Sequence, residues 1–488
     1  MRLLPFLTLI PAALARAARH LETGAAPQVF VNTAVARTVD LGRSTTLVTT
    51  QYNVKALSDD PGAYILALGA DGEAEPAWYE VLVGGKVVAV EVDRLGDAPA
   101  AVVPVGKMGK DETVTISLNV IATNTTRPLP ESIEQREPQF MLWESATTLV
   151  DSAYTSDVER IKIRAPTPMI LSHGKVPKTY VRDSDITKSS STITLGPFYG
   201  VPPTVGKDSK AEQTSFYVHY ETREPVVGIR NLKRAAEVSY WGNNLNIQDE
   251  VELFNAGPKL KGQFSRLVHQ QSRFHAGTPA QVLSEFTLRL PPSSHGVYYY
   301  DVIGNVSTSR FRPGQAAVAK KRAVEGTLEL RPRYPILGGW NYSFTVGWDM
   351  PLSENLHTDS DRAVLEVPFL TPLKGVVVDK EEFTIILPEG ATDVQVATPF
   401  AVDSIEYSTH RTYLDTIGRP KVTITKRIVT ENHALPVYVT YSYPLRARFS
   451  KPIAVGAVAA SALTLFMLLR RVNYKIEEEE EKKEEKRD

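Results

Sequence analysis

Across most of this 488-residue chain, apolar residues recur at every second position in short runs. TVTISLNVI places Val114, Ile116, Leu118 and Val120 on one face and Thr113, Thr115, Ser117 and Asn119 on the other. TSFYVHYE repeats the pattern with Phe216, Val218 and Tyr220, and PVYVTYSY with Val437, Val439, Tyr441 and Tyr443. Successive side chains of a strand point to opposite faces, so this spacing describes antiparallel strands buried on one side. EFTLRLPP (Glu285 to Pro292) and EFTIILPE (Glu382 to Glu389) run into proline stops, and turns such as Asp60-Pro61-Gly62 and Ser294-His295-Gly296 divide the runs. Helical periodicity is scarce. Such strands hide their apolar faces by pairing two sheets, so the fold is predicted to be mainly β and sandwich-like. Between Ala18 and Leu445 lie roughly 430 residues, too many for one sandwich. RTVDLG (Arg37 to Gly42) returns loosely as RAAEVSYWG (Arg234 to Gly242). We therefore expect two tandem lumenal β-sandwich-like domains, residues 18–225 and 226–445, divided near ETREPVVGI.

PIAVGAVAASALTLFMLLRR (Pro452 to Arg471) is a different kind of segment. Its first eighteen residues carry no charge. At about 1.5 Å per residue they span roughly 27 Å, the thickness of a thin bilayer. A buried soluble helix would need a polar face, and only Ser461 and Thr464 offer one. Residues 452–469 are expected to form a single transmembrane helix. Gly456 with Ala460 and Ala457 with Ser461 sit at small-xxx-small spacing, which suits close packing of a second membrane helix. At the other end, Arg2, the apolar run Leu3 to Leu14 and the small-x-small sites around Ala13 to Ala17 form the pattern of a signal peptide, residues 1–17. An amphipathic helix or mitochondrial transit peptide is the competing reading, and Arg16 and Arg19 lie close by. Basic residues flank the span on both sides, so the signal peptide decides the orientation. The bulk of the chain is then lumenal, and residues 470–488 form a charged cytosolic tail. Sequons at Asn124, Asn305 and Asn341 are candidate glycosylation sites on the lumenal side.

The search for chemistry returns little. With 55 basic and 56 acidic residues the net charge is −1, which gives no reason to expect a nucleic-acid partner. There is no cysteine, hence no disulfide, thiolate metal site or cysteine nucleophile. His269 and His275 have poor metal-ligand spacing, and no nucleophile elbow or phosphate-binding loop occurs. Asp183-Ser184-Asp185 and Asp359-Ser360-Asp361 have the form of a glycosyltransferase metal motif, but Asx-type turns explain such pairs in Ser/Thr-rich stretches. No catalytic residue, metal or cofactor is assigned. Tyr and Trp crowd beside Gly and Arg in SYWGNN, VYYYDVIGNVSTSRFR and RPRYPILGGWNYSFTVGWDMPL. A sandwich core, a docking surface and a carbohydrate platform all suit that composition.

These aromatic stretches belong to a longer ordered series. It comprises GPFYGVP (Gly196 to Pro202), VHYE (Val218 to Glu221), EVSYWGN (Glu237 to Asn243), LKGQFSR (Leu260 to Arg266) and YYYDVIGNVSTS (Tyr298 to Ser309), then LRPRYPILGGW (Leu330 to Trp340), ILPEGA (Ile386 to Ala391) and TYLDTIGRP (Thr412 to Pro420). The series resembles the ribophorin I family, and the first 150 residues match it only by position. The resemblance implies a non-catalytic, single-span subunit of the oligosaccharyltransferase complex of the endoplasmic reticulum membrane. Such a subunit supports en bloc transfer of a dolichol-linked oligosaccharide to Asn-x-Ser/Thr. It also implies contacts to a catalytic polytopic subunit and a small membrane subunit, with nascent polypeptide as a further partner. Animal members carry a long cytosolic domain that contacts the ribosome. Here only Arg470 to Asp488 follow the span, so no ribosome docking is expected through this tail, as in the fungal type of complex. A single-pass type I adhesion or receptor glycoprotein is the rival from another class.

Overall fold

The computed structural model describes Gly24 and residues 26–471, apart from 70–75, 91, 97, 182–185, 208, 276–278, 316–322, 360 and 414. The predicted signal peptide, the tail beyond 471 and the Asp183–Asp185 pair lie outside the described residues.

The alternating runs are strands. Thr113–Thr123 buries Ile116, Leu118 and Val120, Phe216–Glu221 buries Phe216, Val218 and Tyr220, and Pro436–Ser442 buries Val437, Val439 and Tyr441. The chain is mainly β, as the period predicts, with several sheets and one long apolar helix at the carboxyl end. One hydrophobic core runs from Ala26 to Val226 and a second from Val227 to Tyr443.

The two halves are copies of one design. The first is built on an eight-stranded sheet in the order Ile186–Ser189, Thr192–Val201, Ser156–Arg164, Phe30–Leu41, Thr45–Ala56, Thr113–Thr123, Trp78–Val83, Lys86–Val88. The second repeats it as Ser404–His410, Arg419–Val429, Val377–Ile386, Val227–Ser239, Asn244–Asn255, Asn341–Pro351, His295–Asp301, Gly304–Asn305. In both, the first strand of the half pairs antiparallel with the second and parallel with a later strand. Each half also carries a four-stranded and a three-stranded sheet with matching connections. Even the irregularities agree. The register of the first hairpin shifts at Thr33 and that of the second at Arg230, four residues before Arg37 and Arg234 respectively. The faint echo of RTVDLG in RAAEVSYWG is therefore the same strand seen twice.

The repeat extends to buried charge. Ile161 lies opposite Arg37, so Glu159 stands two residues back along that strand; Phe383 lies opposite Arg234, with Glu381 two residues back. In the second half, Arg234 Nη1 donates to both oxygens of Asp249, at 3.0 and 2.8 Å, and its guanidinium sits 5.4 Å from the Trp348 ring centre. All four side chains are buried. Burial drives the Glu381 carboxyl far above the ordinary range, with Asp249 adding repulsion against the pull of Arg234. Burial raises Asp249 as well, against the charge of Arg234 and the hydrogen bonds from Thr371 and Arg234, and Arg234–Asp249 is the buried ion pair.

In the first half, burial raises Glu159 to about 7, against hydrogen bonds from Ser156 and the Val150 N–H that favour its ionised form. Because the folded pKa exceeds the unfolded one, folding is favoured at low pH. That advantage is lost as pH rises from about 4.5 through 7. Glu159→Gln is expected to raise stability by ~2 to 3 kcal/mol at pH 8 and to change little at pH 4. Urea midpoints across that range, set against wild type, check it.

The halves are joined along a seam. Ser132–Ile133 pairs in parallel with Lys259–Leu260. Gln135 exchanges hydrogen bonds with Ser265, donating to its carbonyl at 3.0 Å and accepting from its N–H at 2.9 Å. Ser44 Oγ donates to the Val227 carbonyl at 2.6 Å, which places the end of the first hairpin against the start of the strand that repeats it. The halves thus stack end to end. Trp78 meets the buried His433 edge-on at 5.0 Å across the same seam.

Candidate functional site

The carboxyl-terminal helix covers Leu445–Arg471, starting seven residues before the segment expected from hydropathy alone. Pro452 therefore lies inside the helix rather than at its head. Proline has no N–H, so the carbonyl four residues earlier loses its helical donor. That carbonyl belongs to Arg448, and the indole N–H of Trp241 donates to it at 2.8 Å. Trp241 also meets Phe449 edge-on at 5.6 Å. A side chain of the second β domain thus completes the helix where its own backbone cannot.

Around this contact the distant motifs converge. Arg448 lies over the rings of Tyr240 and Tyr443, at 5.3 and 5.7 Å from their centres, and its Nε donates to the Tyr443 carbonyl at 3.0 Å. One turn further on, Lys451 Nζ reaches Asp415 Oδ1 at 2.6 Å and Glu389 Oε2 at 3.3 Å. Glu389 Oε1 accepts from the N–H groups of Thr416 (2.7 Å), Ile417 (2.8 Å) and Gly418 (3.3 Å), and from the Thr416 hydroxyl (2.8 Å). Asp415 Oδ2 accepts from the Thr412 N–H and hydroxyl, and Arg419 bridges to Glu237.

Burial acts to raise both carboxyls. The bonds from Thr416 and the Ile417 N–H and from Lys451 outweigh it at Glu389, holding that group at about 2; those from Lys451 and Thr412 hold Asp415 well below the ordinary carboxylate range. Both depressed acids stabilise the joint above their unfolded pKa, and the contribution is lost as pH falls through the folded values. Gly390 carries φ of +86°, and a Cβ there would lie 2.8 Å from the Ala447 Cβ. Glycine is thus what lets the helix base sit against the ILPEGA turn.

Three segments far apart in the chain, EVSYWGN, ILPEGA and TYLDTIGRP, therefore form one seat for the base of the helix. We take this joint as the candidate functional site. It is built for mechanical linkage, with a guanidinium on two tyrosines and an ammonium on two carboxylates. Trp241→Phe keeps a ring against Phe449 but removes the N–H. It is expected to speed hydrogen exchange in Leu445–Lys451 about tenfold, from the loss of one hydrogen bond, while leaving the melting of the β domains unchanged. Exchange mass spectrometry in detergent measures both.

The sequence-predicted residues are distributed as follows. Gly456, Ala457, Ala460 and Ser461 all lie exposed on the helix, and nothing approaches a Cβ built on Gly456 within 4 Å. Residues four apart share one helical face, so the geometry groups them as a stripe. Asn124, Asn305 and Asn341 are each exposed. The Asp359–Asp361 pair sits at the turn of the hairpin Leu356–Asp359/Arg362–Pro368. His269 lies buried on the short helix Arg266–His275 beside Phe264. Among the described residues, no group of three His, Asp or Glu side chains is placed to hold a metal.

The aromatic segments divide between core and surface. Trp348, Tyr299 and Tyr342 are buried, whereas Trp241, Tyr300 and Tyr334 are exposed. The joint itself escapes sequence reasoning, because Trp241 and Arg448 are 207 residues apart. The available clue is a proline eight residues into a helix that hydropathy starts too late.

A model of the family described as ribophorin I matches residues 30–470. Dolichyl-diphosphooligosaccharide–protein glycosyltransferase subunit 1 of Caenorhabditis elegans is 29% identical over 448 residues, 91% of this chain and 72% of that protein. Subunit 1A of Arabidopsis thaliana is 31% identical over 71% of this chain, which spans about half (52%) of its length. Subunit 1B of Oryza sativa subsp. japonica is 30% identical over 73% of this chain and 69% of its own. Among solved structures, a yeast LTA4 hydrolase aligns over 42% of this chain at 9% identity and a TM-score of 0.25, too loose a likeness to carry any argument. With its family model matched from the first strand to the end of the helix, the chain belongs to the ribophorin I family.

Proposed function

We propose that this protein is a non-catalytic subunit of the oligosaccharyltransferase of the endoplasmic reticulum membrane. On this reading its two stacked β domains stand in the lumen beside a separate polytopic subunit that transfers the dolichol-linked oligosaccharide. The names of the relatives support membership of the complex. The observation that carries the accessory role is the joint. A cluster of polar and aromatic contacts seats a helix long and apolar enough to cross a membrane. It fastens a large β body to a membrane anchor. The stripe Gly456–Ala460 is the proposed face for a neighbouring membrane helix of the complex.

The test is native purification from microsomes in mild detergent, with identification of the membrane proteins that accompany the chain. Recovery of a polytopic glycosyltransferase in stoichiometric amount is the expected result. Recovery of the chain alone, or its passage to the cell surface, would favour the adhesion-receptor alternative.

A further inference from the structure

We propose that Tyr413 and Ile417, on either side of Asp415, form a second membrane contact, dipping into the lipid headgroup region beside the helix. This rests on the reading of Pro452 to Leu469 as a bilayer span. Lys451 is the last charged residue before that span. It lies six residues beyond Leu445, about 9 Å along the helix axis at 1.5 Å per residue. Its ammonium holds Asp415 at 2.6 Å, so that residue sits level with the end of the polar part of the helix. The chain is fixed there on its other side by Glu389, which accepts three successive N–H groups, of Thr416, Ile417 and Gly418.

Held in this way, Tyr413 and Ile417 face outward. Tyr413 is fully exposed and Ile417 is 65% exposed, although neighbouring polar side chains are engaged. A tyrosine with its hydroxyl free and a branched aliphatic at the level where lipid begins are the residues that partition into the membrane interface. Arg411 is exposed beside Gly418 at the edge of the same turn, matching the phosphates of the headgroups. Two contacts in place of one would set the tilt of the β body over the bilayer, which a lone helix cannot do. The occupant is thus lipid of the same bilayer that the helix enters.

The chain contains no cysteine, so single substitutions give unique labels. Tyr413→Cys, Ile417→Cys, Val87→Cys and Leu463→Cys would each carry an environment-sensitive fluorophore in the full chain, reconstituted alone into phosphatidylcholine vesicles. Val87, equally exposed at 65%, lies on the far domain and serves as the soluble reference. Lipids bearing a nitroxide at the headgroup are expected to quench the labels at 413 and 417 severalfold more than the label at 87, while aqueous iodide does the reverse. Iodide quenching at 413 and 417 equal to that at 87, with Leu463 quenched by deep nitroxides, would overturn the second contact and leave the span intact. Failure of lipid quenching at Leu463 as well would overturn the span itself. Shielding of 417 that arises only on adding partner subunits would replace lipid by protein as the occupant and likewise overturn the inference.

Discussion

Arg234→Leu is expected to destabilise the second β domain by about 3 to 5 kcal/mol, the scale for removing one partner of a buried ion pair. Asp249 would be left without the guanidinium that donates to both its oxygens. The contact with Trp348 would go too. The cause is an uncompensated charge, so the cost is reversible. Replacing Arg234, Asp249 and Glu381 together with apolar residues of similar volume is expected to restore most of it, since no charge then remains to be desolvated. Urea denaturation followed by tryptophan fluorescence separates the outcomes. A single variant as stable as wild type, or a triple variant no better than the single, would mean that the pair does not work as described.

Gly456→Leu combined with Ala460→Leu is expected to leave both β domains folded and to weaken association with the complex. Each added side chain would overpack a helix contact at about 1 to 3 kcal/mol, which for two sites amounts to at least roughly thirtyfold in affinity. Leucine at either position is fully compatible with a bilayer, so insertion is unaffected. The readout is the amount of partner recovered with the chain in mild detergent, set beside the thermal midpoint of the β domains. Unchanged recovery would show that the small-residue stripe faces lipid rather than a helix.

What could be read from the residues follows from the range of the interactions. Alternation in TVTISLNVI or PVYVTYSY is a local property of a strand half-covered by core, so the β character was legible throughout. The duplication was almost hidden. Its apolar positions are interchangeable, and what survives is a register shift, an arginine and a glutamate in each half, at Arg37 and Glu159, then at Arg234 and Glu381. A glutamate that neighbours arginine only through a parallel pairing leaves no mark in the sequence. The joint was hidden for the same reason. Lys451 with Asp415 and Trp241 with Arg448 meet only because the sheet order brings the ends of Val227–Ser239 and Val377–Ile386 together with the loop before Arg419. Hydropathy started the helix at Pro452, since the preceding turns carry Arg446, Arg448 and Lys451. Those charges are partnered by the β domain or exposed at its rim, which is why the helix extends back to Leu445.

Protease protection of sealed microsomes is the decisive measurement for the proposed lumenal placement of the β domains. With the β domains in the lumen, they survive external protease as one fragment, with digestion only after detergent opens the vesicles and only the tail beyond Arg471 cut from outside. Degradation of the β domains in intact vesicles would place them in the cytosol and contradict the proposed role.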